Sequence, residues 1–151
     1  MRRAIDPEVG YRLAALADGE GCFSIARTKR SFVCSFIIKL RADDAPFLET
    51  MRANTGLGVV RYGDSWTGDG AARNPWARWT IERKSECRDL VAIFDEYPLW
   101  SRKAEHFSVW REAVIVWSTI QAGEQADWSE LDALYRRLRL VRTYAAPMER
   151  A

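Results

Sequence analysis

Tyr11, Leu13, Ala14, Leu16 and Ala17 recur at helical spacing behind Asp6-Pro7-Glu8, which supplies an N-cap, a proline at the first helical position and an acid in the first turn. A helix is predicted there, stopped by Asp18-Gly19-Glu20-Gly21. From Cys22 the period changes to two, with Phe23 and Ile25 on one side and Ser24, Ala26 and Thr28 on the other. Lys29-Arg30-Ser31 makes a polar turn, and a second strand follows from Phe32 to Arg41.

The same alternation of types repeats. Ala42-Asp43-Asp44 caps a helix whose buried stripe is Phe47, Leu48 and Met51 and which ends before Gly56. Strands at about Leu57 to Tyr62 and Trp76 to Arg83 flank a Gly- and Asp-rich loop. Ser85 caps a third helix carrying Leu90, Val91, Ile93 and Phe94, which Pro98 terminates; Phe107, Trp110, Val114 and Trp117 mark a fourth helix and Trp128 to Tyr144 a fifth. Strand pairs joined by short turns imply antiparallel hairpins, so the expected fold is α+β, one domain over residues 1–151, with helices on one sheet face and the other left open.

Composition narrows the chemistry. No apolar run approaches the ~18 residues of a membrane span, and Met1-Arg2-Arg3 leads into Asp6-Pro7-Glu8 rather than a signal-peptide core, so a soluble cytoplasmic protein without membrane contact is expected. Cys22, Cys34 and Cys87 show neither CxxC spacing nor a companion cluster, which disfavours a zinc site and a disulfide framework. His106 is the only histidine and no nucleophile motif accompanies it, which disfavours Ser-His-Asp or Cys-His catalysis; it reads as a helix-surface residue. Lys and Arg number 23 against 21 Asp and Glu, a net charge of +2, so any polyanion site depends on where the charges sit.

The most informative stretch is Leu13-Ala14-Ala15-Leu16-Ala17-Asp18-Gly19-Glu20-Gly21, a small-residue helix ending in two acids between glycines. It resembles the LAGLIDADG homing endonuclease motif in its Asp-Gly-Glu-Gly form, with Ala15 where the family usually has Gly. The α-β-β-α-β-β-α order over about residues 7 to 97 and the later Tyr97-Pro98-Leu99-Trp100-Ser101-Arg102-Lys103 segment extend the resemblance. It implies a single-motif, homodimeric DNA endonuclease with an αββαββα sheet saddle and extra C-terminal helices. It also implies that Leu13, Ala14, Ala15, Leu16 and Ala17 form the dimer interface, that Glu20, with Gly19, binds the metal, and that Asp18 is the other acid, more often a helix-end hydrogen-bonding residue. Lys103 matches the basic residue near the scissile phosphate, with Arg102 beside it leaving the register open by one.

Phosphodiester hydrolysis suits hard oxygen ligands around Mg²⁺, since phosphate and water complete the shell. Mn²⁺ is expected to substitute and Ca²⁺ to support binding without cleavage; no small-molecule cofactor is expected. Some relatives place a Gln late in the second strand, where this chain has Leu40 or Arg41. Alternation puts Ser24, Ala26, Thr28 and Arg30 on the open sheet face, joined by Ser35, Ile37, Lys39 and Arg41 from the second strand and by Arg61, Arg78 and Thr80 from the last two. Such a β-ribbon fits the major groove of double-stranded DNA. Of the seven tryptophans, Trp110 and Trp117 read as core and Trp66 as exposed. The readings that remain are an endonuclease cutting a long pseudopalindromic site, a non-catalytic nucleic-acid-binding relative such as an intron-RNA splicing helper or regulator, and a small-molecule-binding domain.

Overall fold

The computed structural model describes residues 4–29, 31–64, 74–121 and 126–143; Arg30 and Trp66 lie outside the described residues. In chain order the elements are α1 (Pro7–Glu20), β1 (Gly21–Arg27), β2 (Phe32–Arg41), a 3-10 turn (Ala42–Asp44), α2 (Ala45–Thr55), β3 (Val59–Gly63), β4 (Trp76–Ile81), α3 (Lys84–Glu96), α4 (Lys103–Thr119) and α5 (Ser129–Arg142). The strands form one antiparallel sheet in the order β1-β2-β4-β3, and the fold is α+β as the alternation predicts. No helix among the described residues is long and apolar enough to cross a membrane.

The inward residues of the hairpins make the core. Phe23, Ile25, Phe32, Cys34, Phe36 and Ile38 are buried on β1 and β2, and Ala77, Trp79 and Ile81 continue that face on β4. Phe23 is the hub: its ring centroid lies 5.0 Å from Phe36, 5.9 Å from Phe94, 5.6 Å from Phe107 and 5.3 Å from Trp110, so α3 and α4 are held to the sheet by one aromatic cluster. Trp110 and Trp117 are core residues, as their spacing predicts. Cys34 and Cys87 are free and buried, and burial pushes the Cys34 thiol up to about 12, so both serve as small apolar packing groups.

Several local expectations are corrected. The first helix does not stop at Asp18 but runs through Glu20, because Gly19 adopts no positive φ and only Gly21 turns extended, at φ −69° and ψ 139°. Gly21 is required for close approach: a Cβ there would stand 2.7 Å from the Ala17 carbonyl oxygen and 2.9 Å from the Phe36 ring. Phe47 is 40% exposed rather than part of the buried stripe, which is Ala45, Leu48 and Met51, three residues apart on the helix face turned to the core. Ser85 lies inside α3, which Lys84 opens, and makes no cap. Strand β3 begins at Val59 and β4 ends at Ile81.

The β1 edge is closed by side chains. The indole N–H of Trp110 donates to the Ser24 carbonyl at 3.2 Å, Arg142 Nη1 to that of Phe23 at 3.3 Å, and Lys103 Nζ to that of Gly21. These contacts fasten α4 and α5 to the edge strand β1.

Candidate active site and nucleic-acid interface

The end of α1 carries two acids that face different surroundings. The Asp18 carboxylate accepts the backbone N–H of Trp100 (3.0 Å) and that of Ser101 (2.8 Å), and the Ser101 hydroxyl donates to the Asp18 carbonyl at 3.0 Å. These bonds tie the helix end to the turn before α4, and the turn in turn delivers Lys103 to Gly21. Asp18 is a clasp between two elements, with its acceptor capacity spent on backbone donors. Two residues on, Glu20 is exposed and makes no hydrogen bond or ion pair with any described residue.

That isolation has an electrostatic cost. An acid in the last helical turn faces the negative end of the dipole, and the last turn of α1 holds no basic residue. Departures from local rules of this kind are expected at functional or strained positions. Glu20 lines a groove of about 460 Å³ with Lys39, Leu40, Arg41, Asp44, Asn74, Pro75 and Trp76, at the place where β1 begins and the open face of the sheet starts. Gly21 pairs with Ile38, so the helix end stands beside Lys39 of β2.

The open face is a lattice fixed by register. Ser24 faces Ser35 across β1 and β2; Ile37, Thr80 and Val59 make one transverse row, and Lys39, Arg78 and Arg61 the next. The last of these is a row of three cations on adjacent strands, with no acid among its pairing partners. Trp76 sits beside it, with the Lys39 ammonium 5.0 Å and the Arg78 guanidinium 4.9 Å from its ring centroid. A groove of about 310 Å³ runs from Ile37 past Arg61, Arg78 and Thr80 to Arg83. Strand alternation therefore places Ser24, Ala26, Ile37, Lys39, Arg61, Arg78 and Thr80 on one open surface, as expected.

Other predicted positions are engaged elsewhere. Ser35 is on the open face but only 8% exposed, a short side chain between the larger Val33 and Ile37. Arg41 is held by Asp43, with Nη2 to Oδ2 at 3.0 Å. Thr28 closes the β1–β2 turn, its hydroxyl donating to the Ser31 carbonyl at 3.1 Å. Arg30 is among the residues not described. The two adjacent cations diverge: Lys103 reaches Gly21, while Arg102 turns to the Val141 and Thr143 carbonyls at the end of α5.

The interface reading needs a larger correction. Leu13, Ala14 and Ala17 are buried in this chain's own core, because in a helix laid on a sheet the inward stripe takes the positions three and four apart. Leu16 is half-buried and Ala15 exposed. The outward stripe is Tyr11, Arg12, Ala15 and Gly19, and a Cβ built on Gly19 meets nothing within 4 Å. His106 is half-buried rather than on the helix surface, with Nε2 3.2 Å from the Val141 carbonyl; burial and the nearby Lys103, Arg142 and Arg102 hold its imidazole below its usual range. Sequence reasoning passed over Arg142, which sits against Cys22 at 3.4 Å, and the stacked Trp76; a single arginine near the chain end and one tryptophan of seven gave no periodic signal.

Comparison with known proteins agrees with this geometry. None of the curated proteins matches the chain. Among solved structures it is similar to the LAGLIDADG meganuclease I-AabMI bound to uncleaved DNA, at 25% identity and a TM-score of 0.67, covering 83% of this chain and 43% of that one. The homing endonuclease I-TnaI matches at 21% identity and a TM-score of 0.67, covering 93% of this chain and 97% of that one. I-SmaMI bound to cleaved DNA matches at 18% and a TM-score of 0.70, covering 95% and 49%. The chain thus spans less than half the length of I-AabMI and I-SmaMI and nearly all of I-TnaI. Residues 13–114, which run from the small-residue helix to the middle of α4, match the family model described as LAGLIDADG endonuclease, and the chain belongs to that family.

Proposed function

We propose that this protein is a site-specific double-stranded DNA endonuclease that acts as a homodimer on a long pseudopalindromic site by Mg²⁺-dependent phosphodiester hydrolysis. The observation that carries the reading is Glu20: an exposed, unpartnered carboxylate at a dipole-disfavoured helix end, opening onto a cationic sheet face. Among the described residues no group of three or more His, Cys, Asp or Glu gathers to hold a metal ion, and the groove at Glu20 holds one other carboxylate, Asp44. The hard oxygens of Glu20 and the Gly19 carbonyl suit Mg²⁺, which takes one or two carboxylates and fills its shell with water and phosphate oxygens. Bound there, the metal supplies Lewis acidity toward the phosphoryl oxygen and lowers the pKa of water.

The chain's own groups do the rest. Lys39, Arg61 and Arg78 draw the duplex onto the sheet and offer donors to guanine edges. Asp18 holds the α3–α4 turn so that Lys103 stays beside Gly21, one residue from Glu20, where its ammonium stabilises charge developing on the phosphate. A second copy brings the second acid, and it meets the first through Tyr11, Ala15, Leu16 and Gly19 rather than through the buried Leu13, Ala14 and Ala17. The half-length match to I-AabMI and the full-length match to I-TnaI support a two-copy assembly.

Incubation with a randomised duplex library in Mg²⁺, followed by sequencing of cut ends, tests this directly. Recovery of one pseudopalindromic consensus is expected. One observation favours the binding-only alternative: the late β2 position holds Leu40 and an Arg41 already committed to Asp43, so no free polar group stands there to orient a water. Capture of a consensus without cutting in Mg²⁺ or Mn²⁺ would select that alternative.

A further inference from the structure

Helix α5 lies along the free edge of β1 and runs opposite to it. At its start Asp132 pairs with Arg27, at its middle Tyr135 packs on Phe32, and at its end Arg142 reaches Phe23 and Cys22. The residues on this side, 132, 135, 139 and 142, follow helical spacing, and Arg136 adjoins them. The face toward the core is different in kind: Leu131, Leu134 and Leu138 are buried.

Charge on α5 is distributed unevenly. Arg137, on the α4 side, is matched by Glu112 at 3.2 Å. Along the β1 edge, Asp132 is shared between Arg27 and Arg136, while Arg139 lies over the Tyr135 ring and Arg142 contacts only a carbonyl and a thiol. Two basic residues in the last turn suit the helix dipole, but that accounts for neither Arg136 nor the added Arg27 and Lys29 on the same edge. Helix α3, by comparison, carries Lys84 and Arg88 against Glu86, Asp89, Asp95 and Glu96. The cationic excess is therefore carried by the α5 side of the β1 edge, which meets the open face where Arg142 reaches Cys22.

We propose that the Arg27, Arg136, Arg139 and Arg142 ridge is a phosphate-binding rail for duplex DNA outside the base pairs that the sheet reads, so the footprint of each protomer extends past the β-ribbon. The inference rests on the DNA-binding reading above. Arg136 to Arg142 spans about 9 Å along the helix, enough to follow two or three successive phosphates of one strand. Guanidinium groups suit that role, since they bind phosphate oxygens bidentately without reading sequence.

The test measures affinity of the full chain for random-sequence duplexes across a salt series, with short duplexes of about 14 base pairs and long ones of about 40. The double variant Arg136→Gln/Arg139→Gln removes two cations that hold no β1 carbonyl. It should lower the salt slope on the long duplex by about two and weaken binding there roughly tenfold at 0.1 M salt, with little change on the short duplex. Arg136→Lys/Arg139→Lys should restore most of the slope, and Arg137→Gln should leave it at the parental value. An unchanged slope in the Gln double variant, with unchanged melting, overturns the rail while leaving DNA binding by the sheet intact. An equal loss from Arg137→Gln also overturns it, since total charge would then be the cause. A parent chain that binds neither duplex overturns the DNA-binding reading and the rail with it.

Discussion

Asp18 and Glu20 are separated by one glycine on the same helix, yet they belong to two different regions of the molecule. On the Asp18 side the chain closes on itself: a carboxylate takes two backbone donors, Ser101 bonds back, Arg102 caps α5 and Lys103 fills the β1 edge. On the Glu20 side nothing reciprocates, and the helix end opens toward Lys39, Trp76 and the row of cations behind them. The contrast teaches that two acids in one short motif can be separated by what the backbone offers them. The clasp spends charge on fold, and the Glu20 carboxylate is left exposed.

The largest expected effect breaks the comparison at its open end. Glu20→Gln should slow cleavage roughly a thousandfold, several kcal/mol of transition-state stabilisation, while the melting temperature stays at the parental value. Cleavage assays in Mg²⁺ beside thermal melts check both halves; parental cleavage by the variant would remove Glu20 from the chemistry. Next come Lys39, Arg61 and Arg78, whose alanine variants should each lose about 1–3 kcal/mol of DNA affinity if they reach base edges, with relaxed preference at one position, or a flatter salt slope if they reach phosphates. Parental affinity in all three would show that the duplex does not lie on this face.

Asp18→Ala sharpens the same comparison from the closed side. Loss of the clasp should destabilise the fold by about 1–2 kcal/mol, a few degrees in melting temperature, with cleavage falling only as far as the α3–α4 turn is displaced. A chain that melts normally but no longer cuts would make Asp18 a chemical rather than a structural acid. The smallest effect concerns His106. Its proton affinity is below the usual 6.5 in the folded chain, mainly through burial, so the unfolded chain takes up a proton first as pH falls. Stability tied to the neutral ring is then present above about pH 6.5 and is lost on acidification below it. Melting curves between pH 7.5 and about 5 should show a shallow slope in the parent that His106→Gln removes.

The sequence made the sheet legible because strand alternation and turn chemistry act locally: Phe23 and Ile25 flank Ser24, Phe36 follows Ser35 and Ile38 precedes Lys39. The motif itself was legible through its glycines. What escaped notice depends on contacts across long separations. Nothing near Asp18 announces the N–H groups of Trp100 and Ser101, more than eighty residues away, and Leu13, Ala14 and Ala17 look as suited to a partner as to their own sheet until the sheet's side is known. Helix starts were misjudged for a related reason: Ser85 has the chemistry of a cap, but Lys84 already lies within α3, and Asp44 stands at the α2 boundary without bonding to it.

The side-chain seal on β1 bears on the behaviour of the protein in bulk. Under the proposed DNA-binding function, a sheet that keeps one face bare for a polyanion would meet a second hazard, because many copies gathered along one DNA molecule would bring strand edges near each other at high local concentration. Arg142 and Lys103 occupy the Phe23 and Gly21 carbonyls, two residues apart and so on one side of the strand, with the Trp110 indole on the neighbouring Ser24 carbonyl, and an incoming strand would have to displace two cations before it bonded there. Crowding on the polymer can therefore proceed without seeding fibrils from this edge, and variants that unseal it, Trp110→Phe with Arg142→Gln among them, are where turbidity on prolonged incubation should first appear.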